Sequence, residues 1–280
     1  MSKIFKSTNG KYIVNKENTL SSENVCIAEH LYSEEKYIVK ILKNSQTADK
    51  ELILWKKDLS HPSIIQFSYV DKIFTTTFIY MPKYKSSLQR YILDQGAWGK
   101  GLSEEISLDI FKKICAPIKF LHDNKIAHRD ITTNNFVVDE DMKIVLIDFE
   151  LSYDWSINTE YVETERIANI GTPVYMAPEL LSFSKYRVSR PDIWALGVCL
   201  YILRFGSFPF WNNSMKDLYC TINLFDSYNS ASQRAPVNDV EIYKNINRVF
   251  DNLESDNKSS QIIKSIFVAF QRRPTIDSLI

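Results

Sequence analysis

One loop and the two apolar runs after it constrain the fold of this chain more than any other feature. The loop carries His128-Arg129-Asp130, and Asn135 follows five residues after the aspartate. The apolar runs, 136–138 and 144–147, flank an acidic turn, and Asp148-Phe149 directly follows the second run. Short runs rich in β-branched residues between polar turns predict strands. The sequence therefore predicts a strand–turn–strand unit that gathers these polar residues at one edge of a cleft.

The pattern on either side of this unit divides the chain in two. Before it, no glycine occurs between Gly10 and Gly96. Strands are predicted in this part over 12–14, 25–28, 37–42 and 75–81, and a helix over 48–59. From Tyr84 onward helical patterns dominate, including an i+4 row of isoleucines behind Ser103 and a helix that begins at Pro191. We predict an α+β fold with one domain, whose β-rich lobe spans about 1–83 and whose larger helical lobe spans about 84–280.

Composition excludes several classes of protein. Thirty-four Lys and Arg residues balance 34 Asp and Glu residues, so no net charge favours nucleic acid or a membrane surface as a partner. The longest apolar run, 193–203, is shorter than the 18 or more residues of a membrane-spanning helix. The four cysteines lack metal-ligand spacing and are predicted to be inert core thiols. We expect a soluble monomer inside the cell, in the cytoplasm or the nucleus.

The residue types of the central unit suit phosphoryl transfer. That reaction needs one carboxylate to orient the attacking hydroxyl and oxygen ligands to hold Mg²⁺ on the phosphates. Further residues of the types that such a site needs occur in a fixed order along the chain, which excludes a chance occurrence of the central motif. They are Lys40 in a predicted strand, Glu51 in the following helix, Gly171-Thr172, Ala177-Pro178-Glu179, Asp192 and Arg273.

This ordered set resembles the eukaryotic protein kinases of serine/threonine type over essentially the whole chain. The resemblance implies that Asp130 is the catalytic base, that Asn135 and Asp148 hold Mg²⁺, and that Lys40, paired with Glu51, anchors the phosphates of ATP. Thr172 would form the floor of the pocket for a serine or threonine of a protein substrate. Structural roles are implied for His128, Arg129, Phe149, Glu179, Asp192 and Arg273.

The adenine site is placed by spacing. Met81 occupies the gatekeeper position, and the backbone of the next residues would face adenine; Pro82 lacks an N–H but still offers its carbonyl. The predicted nucleotide-binding residues are Leu20, Val25, Ile38, Lys40, Met81, Pro82 and Tyr84. Glu51 lies ten residues before His61-Pro62, one more than is usual in the family. A solvated helix charge is therefore the alternative role for Glu51.

The chain departs from the family at three places. Residues 20–25 replace the glycine-rich phosphate loop and contain no glycine. Thr132 stands where serine/threonine kinases carry a lysine two residues after the catalytic aspartate, so no cation in this loop neutralises the transferring phosphoryl group. Removing one such electrostatic donor typically costs on the order of 3 kcal/mol. Glu150 replaces the glycine after Asp148-Phe149 and is expected to restrict flipping of that turn.

The activation segment, 148–179, has no serine or threonine at the family's usual phosphorylation position. Arg129, which would bind such a phosphate, is nevertheless present. We hypothesise that Glu160, Glu163 or Glu165 pairs with Arg129 and makes activity independent of phosphorylation. A solvated acidic loop is the alternative.

Three functional interpretations follow from these residues. The first is an active serine/threonine kinase that uses ATP and Mg²⁺. Segments 120–126 and 147–154 are similar to the monomeric fungal kinases that activate cyclin-dependent kinases, which makes a cyclin-dependent kinase a candidate partner. The second is a pseudokinase acting as a binding or allosteric module. The third is a small-molecule kinase, against which the protein-substrate platform at Gly171-Thr172 and 177–179 argues.

Overall fold

The computed structural model of the protein describes residues 4–19, 24–33, 35–163, 171–180, 185–211, 221–222, 248–249, 251–253, 257–268 and 271–279. A six-stranded sheet occupies the N-terminal part as far as Pro82, and the longest elements in the described residues after it are helices. The predicted α+β fold with a β-rich lobe before a helical lobe is confirmed.

The strands of the N-terminal sheet are β1 (Ile4–Lys6), β2 (Tyr12–Thr19), β3 (Val25–His30), β4 (Lys36–Leu42), β5 (Tyr69–Ile73) and β6 (Thr76–Pro82). The sheet is antiparallel, and its strands lie in the order β1-β2-β3-β4-β6-β5. Neither β1 nor β5 was predicted from the sequence. A hydrophobic cluster on this sheet includes four tyrosine rings. The ring of Tyr12 contacts those of Tyr37, Tyr69 and Tyr80, and Tyr69 also contacts Tyr80.

The helical segment after β4 differs from the prediction of one helix over 48–59. The structure has two short helices, α1 (Ser45–Glu51) and α2 (Ile53–Lys56). Asn44 starts the first one earlier than predicted, because its side-chain oxygen accepts hydrogen bonds from the backbone N–H groups of residues 46 and 47. Leu52, with ψ of 11°, separates the helices. Glu51 is therefore the last residue of a helix rather than a residue in its middle.

Among the described residues, the second lobe contains the helices α3 (Leu88–Asp94), α4 (Glu104–Asp123), α5 (Arg190–Phe205) and α6 (Lys258–Ile266), with 3-10 turns at Pro173–Tyr175, Pro178–Leu180 and Ile276–Ser278. Residues 221–222, 248–249 and 251–253 are also helical. The helices α4 and α6 pack against α5, whose residues 191–203 are all buried. Ser103 caps α4 as predicted, by accepting a hydrogen bond from the backbone N–H of Ile106. The short strands are β7 (Ser86–Ser87), β8 (Ile126–Ala127), β9 (Phe136–Val138), β10 (Ile144–Leu146), β11 (Tyr153–Asp154), β12 (Tyr161–Glu163) and β13 (Lys185–Arg187).

The predicted strand–turn–strand unit is the antiparallel pair β9–β10. Phe136 faces Leu146 in its register, so the chain enters β9 and leaves β10 at the same end. A single β-bridge between Ile64 and Leu146 connects the β9–β10 pair to the segment that follows α2. This arrangement brings Asn135 and Asp148 together beneath the N-terminal sheet.

Three of the four cysteines, Cys26, Cys115 and Cys199, are buried thiols outside any disulfide, as expected for core residues; Cys220 lies outside the described residues. Within the described part of the chain, no helix has both the length and the apolar character needed to cross a membrane.

Candidate active site

The loop after β8 is held in place by a buried carboxylate on α5. Asp192, 1% exposed, accepts hydrogen bonds from the backbone N–H groups of His128 (2.9 Å) and Arg129 (2.8 Å). Its Oδ2 also lies 3.0 Å from His122 Nε2. Burial alone would raise the pKa of Asp192, but the hydrogen bond and charge of His122 hold it below its usual value. The contacts show that Asp192 positions the loop and does not face the cleft.

Asp130 has hydrogen-bond donors on both of its carboxylate oxygens. Oδ1 accepts from the backbone N–H (3.0 Å) and the hydroxyl (2.8 Å) of Thr172. Oδ2 accepts from Asn135 Nδ2 (2.9 Å), which also donates to the Asp130 carbonyl at 2.8 Å. All three donors are uncharged groups. The arrangement fixes the direction of the carboxylate without neutralising it.

Thr132, which stands at the position of the missing lysine, points into the loop rather than into the cleft. It is 3% exposed, and its hydroxyl accepts a hydrogen bond from the backbone N–H of Asn135 at 3.1 Å. The adjacent Thr133 hydroxyl contacts Gln89 and Tyr175. The loop is thus held by its own threonines, and Thr132 contributes stability to the loop instead of charge to the cleft.

Gly171 explains how Thr172 comes so close to Asp130. Its φ is +94°, in the region that favours glycine, and a Cβ at this position would lie 2.8 Å from the Arg129 carbonyl oxygen. No other residue type allows the backbone to approach the loop in this way. The two residues of the Gly171-Thr172 pair therefore act together: Gly171 allows the close approach, and Thr172 makes the hydrogen bond to Asp130.

Lys40, on β4, is surrounded by three carboxylates. Its Nζ lies 3.1 Å from Glu51 Oε2, 2.8 Å from Asp148 Oδ1 and 2.8 Å from Glu150 Oε1. Burial would lower the pKa of Lys40, but the three negative charges raise it above its usual range. The predicted pairing of Lys40 with Glu51 is present in this geometry, whereas the contact of Lys40 with Asp148 was not predicted.

Glu51 links α1 to the turn after β10. It is 1% exposed, and the same Oε2 that faces Lys40 accepts the backbone N–H of Phe149 at 2.7 Å. Burial holds the pKa of Glu51 above its usual range in spite of Lys40. These contacts exclude the alternative of a solvated helix charge. The break at Leu52 falls inside the longer interval between Glu51 and His61-Pro62.

The turn at Asp148-Phe149 is packed against the loop. Asp148 has a φ of 70°, and Lys40 and the backbone N–H of Glu150 keep its pKa low although burial opposes this effect. Phe149 is fully buried, and its ring makes an edge contact with the ring of His128 at 5.0 Å between centroids. His128 Nε2 lies 3.1 Å from the carbonyl oxygen of Ile147.

Glu150 is the site residue whose contact sequence analysis missed. Its position was noted only as a substitution for glycine, with an expected effect on backbone flipping. The signal that it carries is its charge: an acidic residue two positions after Asp148 on the same turn can reach the same lysine. No spacing rule of the family predicts that contact.

The predicted nucleotide-binding residues lie along the inner strands of the sheet. Val25 on β3 faces Lys40 on β4, and Ile38 faces Met81 on β6. Met81 is buried at 7% exposure, whereas Pro82 is exposed and Tyr84 is half-buried. The last two line a cleft together with residues 35–37, 83, 85 and 139–140. Leu20 lies outside the described residues.

The hypothesis that an acidic residue of the activation segment pairs with Arg129 is wrong for Glu160, one of the three candidates. Glu160 is directed to Arg187, with 3.6 Å between the carboxylate and Nε. The guanidinium of Arg129 lies instead over the ring of Tyr153, 5.5 Å from its centroid, and burial lowers its pKa. Pairing of β12 with β13 explains this outcome, because it draws Glu160 toward Arg187 on the neighbouring strand. Glu165 and the side chain of Glu163 lie outside the described residues.

Glu179 and Arg273 form a buried ion pair away from the cleft. Both side chains are at most 2% exposed, and the guanidinium contacts both carboxylate oxygens. Arg273 also donates to the carbonyl oxygens of residues 190, 266 and 268 and lies over the ring of Trp194. The pair joins the end of the activation segment to the last part of the chain.

This fold and site define a protein kinase domain. The family described by that name matches residues 21–280, so the chain belongs to it. β1 and β2 precede the matched part.

Curated relatives of the chain are kinases, and two of them are described as serine/threonine-protein kinases. It is 34% identical over 229 residues to a probable serine/threonine-protein kinase of Dictyostelium discoideum, and 31% identical over 203 residues to the maternal embryonic leucine zipper kinase of Xenopus laevis. These alignments cover 72% and 70% of the chain. It is also 34% identical over 163 residues, or 57% of the chain, to the serine/threonine-protein kinase kin-29 of Caenorhabditis briggsae. The matched parts are only 15%, 30% and 19% of these relatives, in the same order.

Proposed function

We propose that this chain is an active protein kinase that transfers the γ-phosphate of ATP to a serine or threonine of a protein substrate. The observation that carries the proposal is the orientation of Asp130 by Thr172 and Asn135. A carboxylate held in this way, on the loop that leads into β9 while Lys40 and Asp148 pair beyond the end of β10, suits the task of accepting a proton from a substrate hydroxyl.

The donor atoms fit Mg²⁺ and the phosphates of ATP. Asn135 uses its amide nitrogen on Asp130, so its amide oxygen is the atom left for a cation. Asp148 keeps 38% of its side chain exposed. Carboxylate and amide oxygens are the ligands that Mg²⁺ takes in proteins. We assign Asn135 and Asp148 to the metal and Lys40 to the phosphates; bound ATP supplies the phosphoryl group.

Each residue has a definite task in this proposal. Thr172 and Asn135 orient Asp130, which holds the proton lost by the substrate hydroxyl. Glu51 fixes Lys40 and the backbone of Phe149, and thereby couples the N-terminal sheet to the turn that carries Asp148. Because Thr132 provides no cation near Asp130, we expect turnover to be slow by about a hundredfold relative to a site with such a donor.

The substrate class follows from the Gly171-Thr172 platform and from the relatives. The hydroxyl of Thr172 contacts Asp130, so a substrate hydroxyl bound beside it would meet the base directly. The finer proposal, that the substrate is a cyclin-dependent kinase, depends on segments 120–126 and 147–154 alone. We further propose that the protein acts inside the cell as a monomer, without nucleic acid or membrane.

Phosphate transfer from labelled ATP tests the proposal. Purified protein with Mg²⁺ and a generic protein substrate, or a cyclin-dependent kinase, should incorporate label, and hydrolysis of the product should yield phosphoserine or phosphothreonine. The matched control is Asp130→Asn, which preserves size but cannot accept the proton. Equal incorporation by both proteins would contradict an active kinase.

A pseudokinase is the second candidate, and the surroundings of Lys40 favour it. Three carboxylates lie within 3.1 Å of one amine and occupy the space that a phosphate oxygen would need. A thermal-shift titration with ATP and Mg²⁺ separates the cases. Binding without transfer, in a protein as inactive as Asp130→Asn, would support the pseudokinase.

A further inference from the structure

Glu150 gives Lys40 one negative partner more than its predicted roles require. Three carboxylate oxygens lie 2.8, 2.8 and 3.1 Å from Lys40 Nζ, and the nearest space around the ammonium group is therefore occupied by negative partners. An incoming phosphate oxygen must therefore displace one of these carboxylates before it can bind the amine.

The three carboxylates are not equally free to leave. Glu51 is buried and bound to the backbone of Phe149, so it is anchored on two sides. Asp148 accepts a hydrogen bond from the backbone N–H of Glu150 in addition to Lys40. Glu150 is about as exposed as Asp148 (35% against 38% of the side chain), but its recorded contact is the ion pair with Lys40 and involves no backbone group. It is the partner that can rotate away at the smallest cost.

The backbone at this position accommodates a glutamate without strain. Asp148 has a positive φ of 70°, but Glu150 is not among the residues with positive φ. A side chain here therefore meets no conformational penalty of the kind that favours glycine. Its presence has a consequence for charge instead, because it places a carboxylate beside the amine that would bind phosphate.

We infer that Glu150 is an internal competitor of the nucleotide: in the nucleotide-free protein its carboxylate occupies the Lys40 donor that a phosphate oxygen would take. The inference rests on the proposed function, since it assumes that Lys40 binds the phosphates of ATP. Nucleotide binding then requires Glu150 to release Lys40. The cost of breaking this ion pair weakens binding, and it adds to the lack of glycines in the phosphate loop.

Calorimetric titration with ADP in excess Mg²⁺ tests the inference without any catalytic turnover. Glu150→Gln keeps the size of the side chain and removes its charge. We expect its dissociation constant for ADP to fall about tenfold below that of the wild type, because the charged group that competes with phosphate for Lys40 is removed. The matched control is Asp109→Asn on the outer face of α4, which removes one exposed partner of Lys113 and should leave ADP binding unchanged.

A second background assigns the effect to Lys40. In Lys40→Met the amine for which Glu150 competes is absent, so adding Glu150→Gln should change the dissociation constant by less than about threefold. A tenfold gain that persists in this background would overturn the competition and point to simple repulsion. Circular dichroism and thermal melting verify that each variant is folded.

The results separate this inference from the proposed function. If the wild type and Glu150→Gln bind ADP equally, or if the variant binds more weakly, the competitor role is wrong and the kinase proposal stands. If no folded variant binds ADP at millimolar concentration, nucleotide binding itself is wrong, and the inference falls with it.

Discussion

The hydroxyl of Thr172 donates a 2.8 Å hydrogen bond to Asp130 Oδ1, and the backbone N–H of the same threonine donates to that oxygen at 3.0 Å. Thr172 belongs to the activation segment and Asp130 to the loop after β8, so these bonds join the two segments at the carboxylate. Two donors on one oxygen leave the carboxylate little rotational freedom. The position of the activation segment thereby controls the direction of Asp130.

Replacing Thr172 with alanine should reduce kcat roughly tenfold to a hundredfold, because a hydrogen bond to a charged group contributes about 1.5–3 kcal/mol. The KM for ATP should stay the same, since Thr172 does not contact the cluster around Lys40. Thr172→Ser retains the hydroxyl and should restore kcat to within about threefold of the wild type. Steady-state kinetics with a protein substrate measures both values, and equal losses in the two variants would refute the role of the hydroxyl.

Gly171→Ala should lower both the free energy of unfolding and the rate of phosphate transfer. The added Cβ would meet the Arg129 carbonyl oxygen at 2.8 Å, and φ of +94° is strained for alanine. Gly96→Ala is the matched control, because φ there is +62° but no atom lies within 4 Å of the new Cβ. Urea denaturation should show a loss at Gly171 that is larger by at least about 1 kcal/mol. Equal losses would mean that the approach to Arg129 is not tight.

The buried ion pair of Glu179 and Arg273 should be sensitive to the loss of one partner. Arg273→Met leaves the Glu179 carboxylate buried and uncompensated, which should lower the free energy of unfolding by about 3–5 kcal/mol. Lys119→Met is the control, because Lys119 pairs with Asp123 and Asp277 at the surface, where solvent screens the charges, and its loss should cost much less than the loss of Arg273. Equilibrium unfolding in urea gives both values; similar losses would show that burial of the pair is unimportant.

Much of the site follows from local sequence. The β9–β10 pair fixes the ends of two loops, so the spacing of Asp130, Asn135 and Asp148 already predicts that they meet. The apolar pattern of β4 likewise predicts that Lys40 lies on a strand. These features depend on residues close together in the chain, where alternation and turn signals carry the information.

The contacts that sequence analysis missed are long-range. Glu150 lies 110 residues after Lys40, and whether they touch depends on how the sheet sits over the β9–β10 unit and on the positive φ of Asp148. Glu160 was expected near Arg129, but pairing of β12 with β13 draws it to Arg187. Strand pairing between distant segments and the direction of a side chain on a turn are not encoded in spacing.

The buried carboxylate of Asp192 gives the protein a specific acid sensitivity. Its pKa in the folded protein is below the usual value of about 3.9, because His122 and the N–H groups of residues 128 and 129 favour the charged form against the effect of burial. A lowered folded pKa contributes stability that is present above the unfolded pKa and is lost as the pH falls through the folded one. Asp192→Asn should therefore be less stable than the wild type at neutral pH, and the difference should shrink below about pH 4. Urea denaturation at pH values from about 7 to 2 measures it, and a difference that stays constant over this range would show that the charge of Asp192 does not stabilise the loop.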